Sequence, residues 1–390
     1  MMANYFRNIK SAFKLKHYTN YILVTAALVL FVVLQSTGNL QRSSAYLLAQ
    51  IGYSIILAVS LNLVVGFLGE LSLGHAGFMC VGAYIGCFTA GKLFEAGLPK
   101  LPVLILSMLI GGICAAVFGF LIGLPALRLK GDYLAIVTLA FGEIVRNIFK
   151  NLPWFGGSMG MNTKTYGTQL FIVCFVMVLV MLILIQNMIR SKHGRAITAI
   201  RDNEIAARAM GINVTYYKLF VFIISAFFAG IAGVLYGFYA TPVTYSFFSY
   251  NYSIEILVMV VLGGMGNITG SILSASLLTF VNFELTSKLT GNNAALKYLI
   301  YALILMIVVI FNNAPKLAPI KERFSFYALK HKILEKKRAK NPDAYAGVII
   351  DDRAEWRDIP TKINMDEILS TDIAKVDDGV VDLTDRSVGK

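Results

Sequence analysis

Long stretches of the chain contain no Asp, Glu, Lys or Arg. They cover residues 17–41, 43–69, 71–91, 101–127, 165–189, 219–254, 256–283 and 298–315. A helix crosses the roughly 30 Å hydrocarbon core of a bilayer with about 20 apolar residues. The apolar runs are continuous, as from Phe171 to Ile185, and do not alternate like the strands of a membrane barrel. The pattern therefore predicts an all-α polytopic membrane protein.

Two segments decide the number of membrane crossings. Residues 133–150 carry Glu143, Arg146 and Lys150, and residues 254–262 are short before the glycine pair that follows them. If only one of the two crossed, the basic residues of the next cytoplasmic segment would face outward, against the positive-inside rule. We therefore expect about ten transmembrane helices, with eight as the alternative, and cytoplasmic N- and C-termini. The expected helices lie near 20–36, 45–67, 73–93, 101–124, 133–151, 169–189, 217–239, 250–263, 268–286 and 296–313.

The net charge of +13 first suggests several kinds of partner. Only 15% of the residues are charged and the mean hydropathy is +0.68, which excludes a soluble globule, a disordered chain and a nucleic-acid binder. Residues 1–313 hold 20 Lys or Arg and 8 Asp or Glu, a net +12 that mostly marks the predicted cytoplasmic side. The predicted organisation is a cytoplasmic N-terminal segment (1–17), a transmembrane domain (18–313), a basic juxtamembrane segment (314–340) and an acidic, disordered cytoplasmic tail (341–390).

The sequence contains no convincing catalytic, metal or nucleotide motif. Gly86 to Lys92 has the spacing of a phosphate-binding loop, but Leu93 stands where the magnesium-binding hydroxyl belongs and no strand precedes it. The four cysteines lie in apolar segments without C-x-x-C spacing, as small buried residues do. We therefore expect a protein that is not an enzyme and that has no metal site and no cofactor of its own.

Few ionisable residues lie within the apolar segments. Glu143 and Arg146 are one turn apart and are spaced to pair, whereas Glu255 and Glu284 fall near segment ends. A proton- or sodium-driven carrier needs titratable or ion-coordinating groups near the membrane midplane. The scarcity of such groups favours a pathway for a small, largely apolar solute.

Glycine is concentrated in two breaks at helix ends and in two helices. The breaks, residues 66–77 and 263–270, are either gating or path elements or tight turns between helices. In the first break, packing or capping is a better explanation of His75 than metal binding. Small residues four apart predict close helix packing, within the subunit or against a second one; they are Gly111, Ala115, Gly119 and Gly123, and Ala229, Gly233 and Gly237. The candidate path or gating residues are Asn62, Gly74, His75, Gly77, Gly263, Gly264 and Asn267.

Residues 190–218 are too polar to cross the membrane and carry six basic residues. Asp202 to Glu204 is typical of a helix start, Glu204 and Arg208 are spaced as an i,i+4 pair, and Gly211 is typical of a helix end. A short surface helix between two membrane helices suits docking into a groove of another protein. A solvated connection without a partner is the alternative.

At this point the sequence resembles a known family. Glu204-x-Ala206-Ala207-x-x-x-Gly211 is similar to the coupling loop of permeases in ATP-binding cassette (ABC) importers. Across about residues 40–313 the chain resembles LivM-like branched-chain amino acid permeases, through residues 62–78, 82–84, 127–143, 194–202 and 263–270. The resemblance implies a large-type importer permease that forms part of the translocation pathway and couples to ATP-binding subunits. The implied coupling residues are Arg195, Arg201, Glu204, Ala206, Ala207 and Gly211.

The resemblance also implies partners and a location. These are a second, LivH-like permease subunit, two ATP-binding subunits that hydrolyse ATP, and a periplasmic or lipid-anchored binding protein, in the bacterial inner membrane. A related permease for urea or short amides is the alternative within the superfamily. An autonomous channel or secondary carrier is the alternative outside it. LivM-like chains usually end soon after their last helix, so the resemblance assigns no role to residues 341–390.

Overall fold

The computed structural model describes residues 19–37, 41–127, 129, 131–288 and the single residues 302, 303 and 306. The helices within the described residues are α1 (Thr19–Ser36), α2 (Arg42–Asn62), α3 (His75–Glu95), α4 (Lys100–Ala126), α5 (Asp132–Asn151), α6 (Leu170–Arg190), α7 (Lys192–Asp202), α8 (Glu204–Ala209), α9 (Val214–Tyr239), α10 (Tyr250–Gly263) and α11 (Ile268–Lys288). The predicted N-terminal segment, basic segment and acidic tail lie outside the described residues. The predicted tenth helix does as well, apart from the three single residues.

The all-α architecture is confirmed over these described residues, where the only β-type pairing is one isolated bridge, between Met161 and Val243. The nine predicted helices that fall there are all present, and their ends differ by three residues at most when the π-helical turn Leu63–Leu68 is counted with α2. In the part of the chain that the structure describes, six helices are long and apolar enough to cross a membrane; Asn20–Ser36 and Tyr250–Gly263 are apolar but shorter, and α5 is not among the six. The total of ten crossings and the cytoplasmic termini stay predictions.

Helix α2 is the centre of the bundle. Its apolar window is 89% buried, and it contacts α6, α9, α10 and α11. The helix continues into a π-helical turn, Leu63–Leu68, and ends at Gly69, whose positive φ of 82° suits a residue without a side chain. Single π-helical turns are rare and occur frequently at functional sites. The end of the central helix is therefore irregular where the first glycine-rich break begins.

Helices α3, α4 and α9 pack through glycine (the glycine-packed core). A Cβ on Gly82 would lie 2.2 Å from the carbonyl oxygen of Gly230, and one on Gly230 would lie 2.5 Å from Cβ of Ala115. A Cβ on Gly233 would lie 2.0 Å from the oxygen of Met79. Small residues allow helix backbones to approach this closely in lipid. The predicted small-residue spacing therefore serves packing within the chain at these positions.

Segments between the helices gather at two opposite ends of the bundle. The polar loop after α6 and both glycine-rich breaks lie together at one end (the loop end). Residues 152–169 and 240–249 meet at the other (the far end), where Met161 and Val243 exchange backbone hydrogen bonds of 3.0 and 2.9 Å. This alternation agrees with the antiparallel order of crossings that the charge pattern predicts.

Candidate functional site

The two glycine-rich breaks meet at the loop end through one buried asparagine. Oδ1 of Asn62 accepts a hydrogen bond from the backbone N–H of Gly266 at 2.9 Å, and its Nδ2 donates to Ser271 Oγ at 2.9 Å. A Cβ on Gly66 would lie 2.1 Å from the nitrogen of Gly266. Asn62, a predicted path or gating residue, thus joins α2 to the turn between α10 and α11. Its amide is satisfied on both sides, as a buried polar group requires.

The second break is a tight turn between α10 and α11. Gly264 and Gly266 have φ angles of 88° and 79°. Asn267 accepts a hydrogen bond from the N–H of Gly270 at 3.2 Å through its side-chain oxygen. Gly263 and Gly270 cross so closely that a Cβ on Gly270 would lie 1.7 Å from the oxygen of Gly263. The predicted residues Gly263, Gly264 and Asn267 therefore shape the turn that Asn62 holds.

The first break brings α3 against α5. A Cβ on Gly74 would lie 2.4 Å from the carbonyl oxygen of Thr138, and one on Gly77 would lie 2.7 Å from Cα of Gly142. The backbone N–H of Leu73 donates to Thr138 Oγ1 at 3.0 Å. The two predicted glycines thus permit a backbone contact that any side chain would block.

His75 lies in a buried polar cluster at the start of α3. Its Nε2 is 2.8 Å from Ser60 Oγ on α2. Ser225 Oγ on α9 donates to the carbonyl oxygen of Ser60 at 2.7 Å, and the N–H of Ala76 donates to Ser253 Oγ on α10 at 3.0 Å. The cluster connects four helices within the bundle, so the geometry agrees with a packing role for His75.

The polar loop folds into two short helices, α7 and α8. Ser191 Oγ caps α7 by accepting from the N–H of His193 at 3.1 Å, and Asn203 Oδ1 caps α8. Glu204 pairs with Arg208 at 2.7 Å, as its spacing predicts, and Gly211 follows with φ of 80°. Helix α7 was not among the predicted helices. Its signal was amphipathic periodicity, with Ile197 and Ile200 on the buried face.

Two contacts tie these helices to the ends of the membrane helices. Nη1 of Arg201 donates to the carbonyl oxygen of Gly66 at 3.1 Å. Lys218 on α9 pairs with Glu70 of the first break and with Glu204 of α8, at 3.2 Å for the latter. The Lys218 side chain is only 4% exposed, and a buried charge is tolerated because it is paired. The Lys218 cation therefore holds the Glu204 carboxylate of the loop and the Glu70 carboxylate of the break together. We call these three residues, with Asn62 and Arg201, the loop-end junction.

Helix α8 and the residue that follows it expose large apolar side chains, which a solvated connection has no need of. Ile205 is 79% exposed and Met210 is 83% exposed, and Ala206 is exposed beside them. Ala207 is buried against the bundle. The remaining predicted coupling residue, Arg195, is exposed on α7. Exposed large apolar side chains beside charged residues are typical of protein–protein contacts.

Four residues of this site were not singled out from the sequence: Glu70, Lys218, Ile205 and Met210. Glu70 and Lys218 are 148 positions apart, so no periodicity or local spacing links them. Large apolar residues within a polar loop, such as Ile205 and Met210, can indicate a protein contact from the sequence alone. The charged residues of the loop are more conspicuous in the sequence than Ile205 and Met210.

Together, the apolar helices and the buried polar contacts between them define a multi-pass membrane protein. The family model described as the branched-chain amino acid transport system permease component matches residues 43–309, and the chain belongs to this family.

Three curated relatives place the chain within that family. It is 37% identical over 261 residues to the high-affinity branched-chain amino acid transport system permease protein LivM of Escherichia coli, covering 57% of this chain and 59% of the relative. The chain thus spans little more than half the length of that relative. A probable LivM of Methanocaldococcus jannaschii is 27% identical, covering 73% and 95%. The LivH permease of Salmonella typhimurium is 25% identical, covering 64% and 84%. No solved structure matches the chain.

Proposed function

We propose that this chain is a membrane-spanning permease subunit of an ATP-driven ABC importer for branched-chain or similar small hydrophobic amino acids. In this role it forms part of the translocation pathway and binds no ATP itself. Its family and the names of its relatives support the amino-acid substrate. Hydrolysis takes place in two ATP-binding subunits, and a separate periplasmic or lipid-anchored protein delivers the substrate at the bacterial inner membrane.

The second half of the pathway comes from another permease subunit. The chain is similar to both LivM and LivH, and these two permeases bear related names in the same organism. Because this chain is similar to both, the two permeases belong to one family. Two related subunits could enclose a passage between them. We therefore assign the partner permease to the LivH-like type.

The single observation that carries the proposal is the loop-end junction. Ile205 and Met210 offer exposed apolar side chains, and neighbouring residues of α7 and α8 reach the membrane helices. Arg201 reaches the π-helical turn at Gly66, and Glu204 reaches Lys218 on α9. A solvated connection has no need of a partly buried ion pair to α9 and a hydrogen bond to the π-helical turn. A loop that transmits movement does.

The mechanism follows from these contacts. The α7–α8 pair docks into a groove of an ATP-binding subunit through Ile205 and Met210. When ATP binding moves that subunit, Arg201 and Glu204 carry the displacement to Gly66 and Lys218. Asn62 passes it on from α2 to the turn between α10 and α11. The two glycine-rich breaks then act as gating elements, because an irregular backbone at membrane depth bends more readily than a regular helix.

Substitutions in α8 test the docking. Ile205→Asp places a carboxylate in the apolar contact, so the ATP-binding subunits should no longer co-purify with the permease. Met159→Asp is the matched control, because Met159 is 87% exposed but lies at the far end. Both variants should reach the membrane in normal amounts. Retention of the ATP-binding subunits by the Ile205 variant would contradict docking at this surface.

Uptake of radiolabelled leucine into membrane vesicles tests the transport itself. Uptake should require the ATP-binding subunits and ATP. Glu204→Lys should leave ATP hydrolysis in place and abolish uptake, because it sets a second cation beside Lys218. Uptake by this chain alone would indicate a channel or carrier. ATP-driven uptake of urea in place of leucine would indicate the amide branch of the superfamily.

A further inference from the structure

The chain turns back into the bundle between α9 and α10, at residues 240–249 (the strap). The hydroxyl of Tyr84 donates to the carbonyl oxygen of Val243 at 3.3 Å, and Tyr84 lies midway along α3, a helix long and apolar enough to span. The ring of Phe247 stacks on Tyr236, in the last turn of α9, at 4.1 Å. The strap contains one short 3-10 turn, so irregular backbone lies beside two membrane helices.

One side of the strap is covered by the bundle and the other is open. Val243 and Phe248 are buried, whereas Ser246 is exposed. Irregular backbone at membrane depth is tolerated only where it is buried in protein or lines a water-filled cavity. The open side of the strap therefore faces water or polar protein.

Charged groups of α5 hold the strap in place. Glu143 accepts a hydrogen bond from the backbone N–H of Tyr250 at 3.0 Å and pairs with Arg146 at 2.6 Å. The guanidinium carbon of Arg146 lies 6.0 Å from the ring centre of Tyr245, and Nζ of Lys150 lies 5.2 Å from it. Cations at such distances are attracted to the face of an aromatic ring. Helix α5 therefore contacts both the strap and the first residue of α10.

Glu143 acts as the cap of α10. The first backbone N–H groups of a helix have no partner within that helix. Ser249, the residue before α10, makes no side-chain cap bond, and the carboxylate of Glu143 takes this place from 107 positions away. A negative charge at the start of a helix also complements the helix dipole. The position of α10 thus depends on a side chain of α5.

The strap is also bound to residues 152–169. Met161 and Val243 exchange backbone hydrogen bonds of 3.0 and 2.9 Å, and Thr241 Oγ1 donates to the carbonyl oxygen of Thr163 at 3.2 Å. Hydrogen bonds within a protein can be exchanged for bonds to water at a small net cost. The contacts of the strap are therefore easier to release than the close backbone packing of the glycine-packed core.

Helix α10 connects the strap to the loop-end junction. The helix has 14 residues, and the turn after it is bound to Asn62 through the N–H of Gly266 at 2.9 Å. Near its start, Ser253 Oγ accepts the N–H of Ala76 at 3.0 Å, which gives α10 one contact on α3 about which it can tilt. Rigid helices held by hydrogen bonds carry coupling between distant sites. A shift of the turn at one end of α10 therefore displaces the strap at the other.

We propose that the strap is a gate on the far-end side of the translocation pathway and that Glu143 is the positioning residue that holds it closed. The inference rests on the transport function proposed above and adds the element that opens at the end opposite the docking loop. Movement of the loop-end junction tilts α10 and separates the N–H of Tyr250 from Glu143. The strap then leaves α5 and the segment of Met161.

A disulfide across the strap tests the gate. Opposed residues of an antiparallel pair that exchange two hydrogen bonds have Cα atoms about 5.5 Å apart, a distance that a disulfide spans. Met161→Cys and Val243→Cys are therefore introduced together into the complete transporter, and each single variant is a matched control. The four native cysteines are first replaced by Ala: Cys80, Cys87, Cys114 and Cys174. Mass spectrometry of the digested chain measures disulfide formation after oxidation.

Oxidation should lower ATP-driven leucine uptake by the double variant at least tenfold, and a reducing agent should restore it. The single variants should keep their uptake under the same treatment. Undiminished uptake with the disulfide formed would overturn the gate. Failure of the disulfide to form would mean that the strap does not lie against residues 152–169, and it would overturn the gate as well.

The rate of disulfide formation tests the link through α10. A non-hydrolysable ATP analogue should slow the reaction at least fivefold, because the strap moves away from position 161, and Asn62→Ala should abolish this slowing. A rate that does not respond to the analogue would overturn the link.

The same rate, measured without nucleotide, tests Glu143. Glu143→Ala should slow disulfide formation at least threefold, because it removes the cap of α10. Glu143→Gln keeps an acceptor for the N–H of Tyr250 and should slow the reaction less. Equal rates in the Ala variant and the unsubstituted residue would overturn the role of Glu143.

Uptake by the unsubstituted transporter distinguishes this inference from the proposed function. Leucine uptake that does not depend on ATP would overturn the importer function. ATP-driven uptake that the disulfide leaves unchanged would overturn the gate alone and leave the importer function standing.

Discussion

The glycine-packed core and the loop-end junction are held together by different forces. In the core, α3, α4 and α9 approach until carbonyl oxygens lie where a Cβ would be, and the contact surface is formed by small apolar residues. In the junction, single polar side chains such as Asn62, Arg201 and Lys218 make the contacts. Backbone packing has one arrangement with good contacts. Hydrogen bonds and ion pairs can be exchanged, so the core suits a fixed scaffold and the junction suits a part that moves.

The largest effect should come from the core. Gly230→Leu places a side chain 2.5 Å from Cβ of Ala115 and 2.8 Å from the oxygen of Gly111, so the helices cannot dock. We expect no folded protein in the membrane. The measurement is the amount of monodisperse protein that detergent extracts from the membrane. Gly91→Leu on α3 is the control, because no atom lies within 4 Å of its Cβ position. A stable, active Gly230 variant would contradict the close packing.

Lys218→Met should have the next largest effect, because it leaves Glu70 and Glu204 without their shared cation. Removing one member of a buried ion pair costs about 3 kcal/mol. We expect a lower thermal midpoint of the purified complex and loss of ATP-dependent uptake. Adding Glu70→Gln to Lys218→Met should restore part of the stability. Equal stability of the single and double variants would argue against a buried pair.

Asn62→Ala should cost less, about 2 kcal/mol, because it removes two hydrogen bonds and leaves the N–H of Gly266 without a partner. Its main effect should be on coupling, measured as leucine molecules taken up per ATP hydrolysed. Ser271→Ala removes only one of the two contacts and should lower this ratio less. If both variants lowered it equally, the bond to Gly266 would have no separate role.

Arg208→Ala should have the smallest effect on stability. Its side chain is 64% exposed, and an i,i+4 surface pair contributes at most about 0.5 kcal/mol. We expect an unchanged thermal midpoint together with weaker docking of the ATP-binding subunits, measured by co-purification. A large drop in thermal midpoint would place Arg208 in the fixed scaffold instead.

The sequence predicts much of the fold because membrane crossing imposes strong rules on composition. The apolar runs and the charge bias predicted the nine helices that fall within the described residues to within three residues, with the π-helical turn counted as part of α2. Local rules also predicted the pairs Glu143–Arg146 and Glu204–Arg208, since both partners lie within one helical turn.

The sequence does not predict contacts between residues that are far apart along the chain. The pairing of Lys218 with Glu70 and the bond from Asn62 to Gly266 connect residues 148 and 204 positions apart. No spacing in the sequence indicates them, because they depend on which helix ends meet. The sequence predicts each glycine-rich segment as an interruption at a helix end. That the two form one joint, and that the polar loop closes it, follows only from the three-dimensional arrangement.

The burial of Lys218 separates two kinds of charge at the loop end. At 0.1 M salt, ions largely screen interactions between exposed charges that are more than about 10 Å apart, and they affect buried pairs much less. The exposed basic residues of α7 and α8 would thus lose their attraction for a partner as salt rises, while the pairs around Lys218 persist. In the proposed complex, salt would weaken the charged part of the docking surface, leave its apolar part in place and leave the loop fastened to its own helices, so association and transmission respond differently to salt.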